Sequence, residues 1–403
     1  MSTQQTHNVV IVGANFGGIS LAHYLLRKTF PSLKTLQPQT TFHVTLVSPN
    51  THFYFKIAAP RALISAESIP EDQYFKSIAE AFQQYHASAF EFIQGIATSV
   101  DAQARTVSVK VDSDSTDKVI TYDSLVIASG TTSSSPLWSI KGSHETSREA
   151  LHAMHQELPK ASTVLIAGAG PVGVETAGEI KFAFPDVKVT LVTSSRILPR
   201  ESPNLGAKAK AALEKLGVMV KTDLPLSDPM ADDKARPVQF SDGSSESPDI
   251  FINATGASKI NTEWLPSSWL AEDKKVATRD NHFRVKDSEH VYVIGDAASG
   301  SNGTAFAVEA MTPVVASCIA VDVTGSAGTN DGLMAWFFSF FKTPAPRQAD
   351  YKPMNVIVIP IGPKGGVGHL FGWGMPSFMV KKVKAEKYLI DHVEPMLSGK
   401  KWA

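Results

Sequence analysis

The 403-residue sequence contains a single cysteine, Cys318. One cysteine excludes an intramolecular disulfide framework, a C-x-x-C redox pair and a cysteine-rich zinc or iron–sulfur site. No metal site is predicted from the other residues. Because a chain without disulfides is typical of a reducing compartment, we expect a cytoplasmic protein that is not secreted.

An excess of charge of one sign is also lacking, since 38 Lys and Arg residues stand against 39 Asp and Glu residues. Nucleic-acid-binding proteins normally have a basic excess on one face, so no nucleic-acid partner is expected. The stretch MSTQQTHNVV lacks the basic and apolar regions of a secretory signal, and Ser2 excludes N-myristoylation. No apolar run reaches about 18 residues, and we therefore predict no membrane-spanning helix.

A repeated unit of strand, glycine turn and helix is the main feature that the sequence does contain. The first copy, VVIV-GANFGG-ISLAHYLL, occupies residues 9–26, and the second, VLIA-GAGPVG-VETAGEIKFAF, occupies residues 164–184. Each copy leads into another apolar strand, at 43–48 and at 187–193. Apolar runs without alternation are typical of parallel strands that are covered on both faces. The repeat predicts an α/β protein with two doubly wound, Rossmann-like dinucleotide-binding domains.

The remaining segments complete this outline. Three further apolar strands end in small or acidic residues, namely SLVIASG (124–130), DIFINATG (249–256) and HVYVIGDAASG (290–300). We predict a linker at 131–143, a helix at 145–158 and a surface hairpin within the polar stretch 227–249. Residues 331–403 begin aromatic, continue glycine-rich and end basic, which predicts a small C-terminal α+β domain.

The second turn carries a complete G-x-G-x-x-G motif at Gly168, Gly170 and Gly173. The first glycine permits the tight turn, the second lets the backbone approach a pyrophosphate, and the third lets helix and strand pack closely. Pro171 and Val172 then open a helix whose free N–H groups attract phosphate. Because the motif joins a strand to a helix and then to a second strand, it favours a dinucleotide site over a purely structural turn.

The end of the next strand indicates which nucleotide is bound. NAD sites usually carry an acidic residue there, whereas NADP sites have an arginine nearby. This chain has Thr193, two serines and Arg196 at that place, and no acid. The pattern favours NADPH over NADH but leaves both open, because Arg196 could equally be a solvated surface charge.

The first turn departs from the motif, since Asn15 stands between Gly13 and Gly18. Asparagine tolerates positive φ better than most residues, so we expect the turn to form. The Asn15 side chain is expected where a pyrophosphate normally passes, and it could donate a hydrogen bond to it. The next strand ends in Ser48 rather than an acid, and a hydroxyl binds a ribose more weakly than a carboxylate does. We therefore predict an altered dinucleotide site rather than a lost one.

A third glycine turn contains Gly295 and Asp296. An aspartate just past a buried strand costs free energy unless it is paired or faces a ligand. Asp296 is therefore a candidate cofactor contact, and an N-cap of the following helix is an alternative that can coexist with it. The remaining candidate contacts are turn residues at the strand ends, namely Phe16, Gly17, Ala128, Ser129, Gly130 and Gly256.

These motifs in this order resemble the AIF-like flavoprotein family, and within it the AMID or ferroptosis-suppressor branch of NAD(P)H:quinone oxidoreductases. The resemblance extends over nearly the whole chain. Besides the glycine turns, it includes PNTHFYFKIAAPRALIS (49–65), VYVIGDAA (291–298) and YKP…GGVGHLFGW (351–373). It implies a fold of the glutathione-reductase type, with an FAD-binding domain at 1–132 and 257–330, an NAD(P)H-binding domain at 133–256 and a C-terminal domain at 331–403.

The resemblance also implies roles for individual residues. Arg61, in the A-A-x-R segment with Ala58 and Ala59, is implied to neutralise phosphate or to stabilise the reduced flavin, with a helix-surface charge as the alternative. Glu175 is implied to lie near the nicotinamide and flavin rings, and a first-turn acid that stabilises the helix dipole is the alternative. We further hypothesise that Lys56 pairs with Glu175.

The implied reaction is hydride transfer from NADPH or NADH to FAD, followed by reduction of a small acceptor similar to a quinone. The protein would supply orientation and electrostatics, and no general base is needed. Two other functions stay open: a flavin-dependent oxidase or dehydrogenase that modifies a small metabolite, and a non-catalytic nucleotide-binding redox sensor. The protein is expected to be a monomer or a homodimer.

The acceptor side is expected in the C-terminal segment. The stretch MAWFFSFFK (334–342) suggests an aromatic patch for a quinone ring or a membrane surface, or else the core of the third domain. A later stretch contains Lys381, Lys382, Lys384 and Lys387. It is a candidate for peripheral contact with a membrane of anionic lipid, with a solvated helix face as the alternative.

Overall fold

The two largest β-sheets among the described residues have seven and four strands. The computed structural model describes residues 5–111, 117–234, 237–325 and 345–402, without the side chains of residues 257 and 258. The aromatic stretch at 334–342 lies outside the described residues.

The larger sheet takes its strands from the first third of the chain and from one late segment. It contains β1 (Gln5–Val12), β2 (Thr40–Ser48), β5 (Phe90–Asp101), β6 (Thr106–Val111), β7 (Asp117–Thr121), β8 (Ser124–Ile127) and β17 (Val291–Val293). Their order is β17-β8-β1-β2-β5-β6-β7, parallel up to β5 and antiparallel beyond it. Val9, Val10 and Ile11 of β1 are fully buried, as expected for a strand covered on both faces.

The helices of this unit begin at the first glycine turn. Helix α1 (Phe16–Tyr24) continues through a π-helical segment (Leu25–Thr29) into α2 (Phe30–Leu36), and α9 (Ala305–Thr324) packs against α1. Short elements fill the connection from β2 to β5, namely β3 (His52–Tyr54), a 3₁₀ turn (Lys56–Ala58), α3 (Ala59–Ala62), α4 (Glu71–Tyr74), β4 (Phe75–Ser77) and α5 (Ile78–Phe82).

Among the described residues, α9 is the one helix that is long and apolar enough to cross a membrane. Inside the protein, however, 61% of its most apolar window is buried. Its Asp322 accepts hydrogen bonds from Arg284 at 2.9 Å and from the Tyr292 hydroxyl at 2.6 Å. Burial and this polar network are typical of a core helix.

The smaller sheet is entirely parallel. It contains β10 (Thr163–Ala167), β11 (Lys188–Val192), β12 (Met219–Lys221) and β15 (Ile250–Asn253) in the order β12-β11-β10-β15. Its helices are α6 (His144–Glu157), α7 (Pro171–Ala183) and α8 (Pro203–Leu216). The hairpin β13 (Val238–Gln239) and β14 (Ser245–Glu246) lies in the polar stretch where a hairpin was predicted.

Two short antiparallel strands mark where the chain enters and leaves the smaller unit. They are β9 (Thr131–Ser133) and β16 (Ala257–Ile260). The predicted domain limits at 132 and 256 fall in or beside these strands. The division itself stays a prediction.

The C-terminal segment adds a three-stranded antiparallel sheet that packs on the smaller unit. Its elements are β18 (Val356–Pro360), β19 (Gly366–Leu370), β20 (Trp373–Gly374), α10 (Ser377–Val380), a π-helical segment (Lys381–Ala385) and α11 (Val393–Leu397). Strand β18 packs against α7, and β19 packs against α8. A Cβ at Gly178 would lie 2.8 Å from the Gly362 backbone nitrogen, so α7 needs a glycine at this approach. The predicted α/β fold with two Rossmann-like units is confirmed.

Candidate active site

The second glycine turn joins β10 to α7 and is shaped by close backbone contacts. Gly168 has φ +100°, and a Cβ there would lie 2.3 Å from the Ala254 carbonyl oxygen. A Cβ at Gly173 would lie 1.8 Å from the Gly168 carbonyl oxygen, whereas one at Gly170 would have nothing within 4 Å. The outer glycines therefore form the turn, and the middle glycine leaves open space where a pyrophosphate would approach.

The first glycine turn repeats this geometry between β1 and α1. Gly13 has φ +115°, and a Cβ there would lie 2.2 Å from the Ala128 carbonyl oxygen. A Cβ at Gly18 would lie 1.8 Å from the Gly13 carbonyl oxygen. The two turns are therefore equivalent in their backbone, and they differ at the middle position.

Asn15 occupies that middle position as the N-cap of α1. Its φ is −119° and its ψ −152°, so the turn forms without a positive φ at this position. The prediction that asparagine is accepted here because it tolerates positive φ is therefore wrong. The side chain makes no capping hydrogen bond, and its Oδ1 is buried without a partner among the described residues. The Asn15 Nδ2 group could donate to a phosphate oxygen, whereas the unpartnered Oδ1 needs a hydrogen-bond donor.

Two more side chains lie where the adenosine end of a dinucleotide is expected. Ser48 is buried at the end of β2, and its Oγ accepts a hydrogen bond from the Asn50 backbone N–H at 3.2 Å. The Asn50 Oδ1 is also buried without a partner in the part of the chain described. The Ser48 hydroxyl thus shapes the turn and keeps its own hydrogen free to donate, as a ribose contact requires.

Phe16 and Gly17 follow Asn15 on the first turn of α1. The Phe16 ring packs against Phe53, with 5.1 Å between the ring centroids. Gly17 lies against Ile294, whose Cγ2 would be 3.2 Å from a Cβ at that position. Gly17, which has no side chain, could contact a cofactor only through its backbone.

The ends of β8 and β17 meet beside the first turn. The Ala128 N–H donates to the Val12 carbonyl oxygen, and Ser129 exchanges two hydrogen bonds with Asn261. Gly130 has φ +59° and open space around it. These residues hold the strand ends together and leave a free surface on the side of Gly130.

Asp296 lies in this region and has two polar neighbours. Thr131 Oγ1 donates to its Oδ2 at 3.4 Å, and Lys56 Nζ lies 4.0 Å from the same oxygen. Gly295 before it has φ +88°. The hypothesis that Lys56 pairs with Glu175 is therefore wrong, because the nearest carboxylate to its ammonium is that of Asp296.

Glu175 pairs with Lys384 instead. The Lys384 Nζ lies 2.6 Å from Glu175 Oε1, and both side chains are largely buried. Burial raises the pKa of Glu175 to about 7, the Lys384 ammonium opposes this rise, and the neighbouring carboxylate of Glu179 adds to it. The pair therefore contains a carboxyl group that titrates at neutral pH.

Arg61 forms a second buried ion pair one helical turn further along α7. Its Nε and Nη2 donate to the two carboxylate oxygens of Glu179, and Nη2 also donates to the Ala385 carbonyl oxygen at 2.9 Å. The Tyr388 hydroxyl donates to Glu179 at 3.2 Å, and its ring lies 4.9 Å from the guanidinium. The structure thus turns Arg61 toward α7 and the C-terminal segment, unlike the implied contact with a phosphate or the flavin.

The loop after β11 contains the residues predicted to select the nucleotide. Thr193 is buried, and its Oγ1 accepts a hydrogen bond from the Ser195 N–H at 3.4 Å. The Arg196 Nη2 donates to the carbonyl oxygens of Pro199 and Glu201 at 2.8 and 2.7 Å. Arg196 therefore holds its own loop together, and the preference for NADPH stays a prediction.

The other predicted contacts of this half line the open side of the turn. Pro171 and Val172 begin α7 directly after its N-cap, Gly170. Gly256 has φ +111° and open space around its Cα.

The four C-terminal lysines do not share one environment. Lys381, Lys382 and Lys387 are exposed. Lys384 is turned inward by the π-helical segment, so the alternative of a uniformly solvated helix face is wrong for this residue.

Among the residues that the structure describes, no group of three His, Cys, Asp or Glu side chains could hold a metal ion.

Two glycine-cornered turns at the carboxyl ends of parallel strands are the geometry of a protein that binds two dinucleotides. Comparison with known proteins agrees. The pattern of the pyridine nucleotide-disulphide oxidoreductase family matches residues 7–313, and the chain belongs to this family. It uses FAD and NAD(P)H and is an NAD(P)H-dependent flavoprotein oxidoreductase.

Relatives cover almost the whole chain. The oxidoreductase phnG of Penicillium herquei is 32% identical, over 98% of this chain and 97% of its own. Human ferroptosis suppressor protein 1 is 25% identical, over 95% and 94% of the two chains, which confirms the resemblance to that branch. Among solved structures, the sulfide:quinone oxidoreductase of Aquifex aeolicus shares the fold with a TM-score of 0.71 at 16% identity, over 98% and 92%.

The sequence analysis did not place Glu179, Lys384 or Tyr388 at this site, and it considered Lys384 only for contact with a membrane. Glu179 could have been found, because it stands one helical turn after Glu175 and is the second carboxylate of a mostly apolar helix. Lys384 and Tyr388 each lie 209 residues from their partners, and no local pattern connects them.

Proposed function

We propose that this protein is an FAD-dependent NAD(P)H:quinone oxidoreductase. The family supports the two cofactors, and the likeness in fold to a sulfide:quinone oxidoreductase supports a quinone as the acceptor. The single observation that carries the proposal is the buried Glu175–Lys384 pair at the start of α7, because it holds a titratable proton at neutral pH.

The two glycine turns bind the cofactors in this proposal. Gly168 and Gly173 build the turn that would receive the pyrophosphate of NAD(P)H, and Gly170 leaves the room for it. Gly13 and Gly18 build the turn for FAD, where the Asn15 amide would meet the phosphates. Bound together, the cofactors supply hydride and electron transfer, and the protein fixes their separation and orientation.

The reduction of a quinone consumes one proton beyond the hydride. In balance, NAD(P)H, a quinone and one proton give NAD(P)⁺ and a hydroquinone. Glu175 can hold that proton, because its pKa is raised to about 7, and the Lys384 ammonium can stabilise the carboxylate that remains after its release. We therefore assign to the pair the storage of the proton that the acceptor takes up.

With FAD bound, the chain would supply no dithiol to carry electrons from the cofactor to the acceptor. The chain has one cysteine, Cys318, which is buried, and burial raises its pKa to about 12. A lone thiol in that state cannot act as a dithiol relay.

Turnover with and without a quinone tests the proposal. Purified protein should be yellow, and under anaerobic conditions NADH or NADPH should bleach its flavin absorbance. Menadione or ubiquinone-1 should then be reduced far faster than oxygen is consumed. Equal rates of coenzyme oxidation with and without quinone would favour an oxidase or dehydrogenase that modifies a small metabolite. A protein that takes up no FAD on reconstitution would favour a nucleotide-binding sensor.

A further inference from the structure

Large aromatic side chains are exposed close together at the edge of the C-terminal sheet. The exposed fractions of Phe371, Trp373 and Phe378 are 65%, 82% and 68%. Phe371 and Trp373 stand at the turn of the hairpin β19–β20, and Phe378 is on α10, which packs against β19. We name residues 370–378 the aromatic tip. Single exposed apolar residues are ordinary, but a group of large rings usually marks an interaction surface.

The turn of this hairpin holds an aromatic residue in a backbone conformation that such residues rarely adopt. Leu370 pairs with Trp373, so Phe371 and Gly372 are the two turn residues, and their φ values are +50° and +85°. Two positive φ values indicate a type I′ turn, whose first position favours asparagine, aspartate or glycine. A bulky aromatic residue there is strained. Backbone strain held at an exposed position points to a function for the side chain that causes it.

The charges around the aromatic tip are mostly positive. Between residues 351 and 385 the chain carries five lysines and no Asp or Glu, and four of these lysines remain once Lys384, the buried partner of Glu175, is set aside. Lys381 and Lys382 are exposed just after the tip, and Lys208 Nζ on α8 lies 3.9 Å from where a Cβ at Gly374 would be. Two acids lie nearby, and both are paired: Glu386 with Lys381 at 3.5 Å, and Glu201 with His369 at 3.1 Å.

We propose that the aromatic tip docks this protein on the surface of an anionic phospholipid bilayer. Tryptophan and phenylalanine partition into the boundary between headgroups and acyl chains. Lysines beside them are attracted by the negative surface potential of anionic lipid. A second copy of this chain would offer the same positive charge and would be repelled. This docking goes beyond the proposed reaction and does not depend on it.

Sedimentation with vesicles tests the docking, with the full-length flavoprotein as the sample. We expect the wild type to sediment with vesicles of equal parts phosphatidylcholine and phosphatidylserine, and much less with phosphatidylcholine alone. Phe371→Asn fits the type I′ turn better than the native residue, so it should fold at least as stably. It should nevertheless bind about tenfold more weakly, and Trp373→Ser should do the same. Loss of binding without loss of folding would support the tip as the docking element.

Two further variants separate the contribution of the lysine charges to vesicle binding from the effect of removing any exposed apolar side chain. Replacing both exposed lysines, as Lys381→Gln with Lys382→Gln, should weaken binding to the anionic vesicles and reduce its sensitivity to salt. Met219→Gln removes an equally exposed apolar side chain from β12 and should leave binding unchanged. The proposal is overturned if the wild type does not sediment with anionic vesicles, or if Phe371→Asn combined with Trp373→Ser binds like the wild type. It is also overturned if Trp373→Ser converts a dimer into a monomer, because a second copy would then cover the tip.

Discussion

At the scale of single residues, the site depends on carboxyl groups that are buried beside cations. Glu175 and Glu179 stand one turn apart on α7, and each faces a cation from a different part of the chain. Burial raises the pKa of both groups, and the cation beside each one opposes that rise. Removing one of these cations should therefore raise the pKa of the carboxyl group beside it, even where the fold is retained.

Glu175 gives the stability of the protein a pH dependence of definite sign. Burial raises its pKa from 4.5 to about 7, so between these values the folded protein keeps a proton that the unfolded chain has released. The contribution to the free energy of unfolding is complete below pH 4.5 and is lost as the pH rises through about 7. In urea unfolding, the free energy of unfolding of the wild type should fall by about 2 kcal/mol between about pH 5 and pH 8 because of this group. We expect this fall to be absent in Glu175→Gln.

Substitutions of Lys384 check the same assignment from the other side of the pair. Lys384→Met removes the ammonium that lowers the pKa of Glu175, so the midpoint of the pH dependence should move upward by about one unit or more. Lys384→Arg keeps the charge and should leave the midpoint near its wild-type position. A midpoint that is the same in all three proteins would show that the two side chains do not interact in solution.

Asn15 should decide how tightly FAD is held. Asn15→Asp keeps the shape of the side chain but places a negative charge where the phosphates are expected, and we predict about tenfold or greater loss of FAD affinity. Asn15→Gly restores the glycine of the motif but removes the amide donor, so it should bind FAD more tightly than Asn15→Asp and more weakly than the wild type. Titration of the apoprotein with FAD, followed by flavin fluorescence, measures both. Equal affinity in the Asp and Gly variants would place the side chain away from the phosphates.

At the scale of elements, different positions of a glycine turn shape the backbone and leave room for the ligand. In the turn between β10 and α7, a Cβ at position 173 would collide with backbone, whereas one at position 170 would enter open space. The motif therefore contains two glycines that the fold requires, Gly168 and Gly173, and one, Gly170, that leaves room for the ligand.

Substitutions at these two glycines should fail in different ways. Gly170→Val should leave the thermal unfolding of the protein and its flavin spectrum near those of the wild type, but abolish bleaching by NADH or NADPH. Gly173→Ala should lower the free energy of unfolding by more than about 2 kcal/mol, because the backbone must move to admit the methyl group. If Gly170→Val released FAD and kept binding of the coenzyme, the assignment of the two turns would be reversed.

The elements of the repeated units could be predicted from the sequence because their signals are local. Uninterrupted apolar strands, glycine turns and the surface hairpin each lie within a short window, and α6 begins one residue from its predicted start. The π-helical segment at Lys381–Ala385 has no such signal. It turns Lys384 toward α7, and its position is set by a partner on another element. The Lys56–Glu175 hypothesis was wrong for the same reason, since nearness to a shared motif does not fix where a side chain points.

At the scale of the whole molecule, Arg61 joins three parts of the chain. It stands on α3, which belongs to the segment between β2 and β5 of the larger unit, and binds Glu179 on α7 of the smaller unit. The same guanidinium binds the carbonyl oxygen of Ala385 in the C-terminal segment. No sequence pattern predicts this junction, because its members are separated by 118 and 324 residues.

Replacing Arg61 should loosen the connection between these parts. Arg61→Lys keeps the charge, but one ammonium cannot reproduce the forked contact with Glu179 and also reach Ala385, so we expect a loss of about 2–3 kcal/mol in the free energy of unfolding. The thermal transition should broaden or split, since the two units then unfold with less mutual support. Arg148→Lys is the matched control, because its pair with Glu145 is at the surface and should contribute less than about 1 kcal/mol. If both variants unfolded like the wild type in one sharp transition, the units would be held together by apolar packing, and Arg61 would be available for the flavin contact that the resemblance implies.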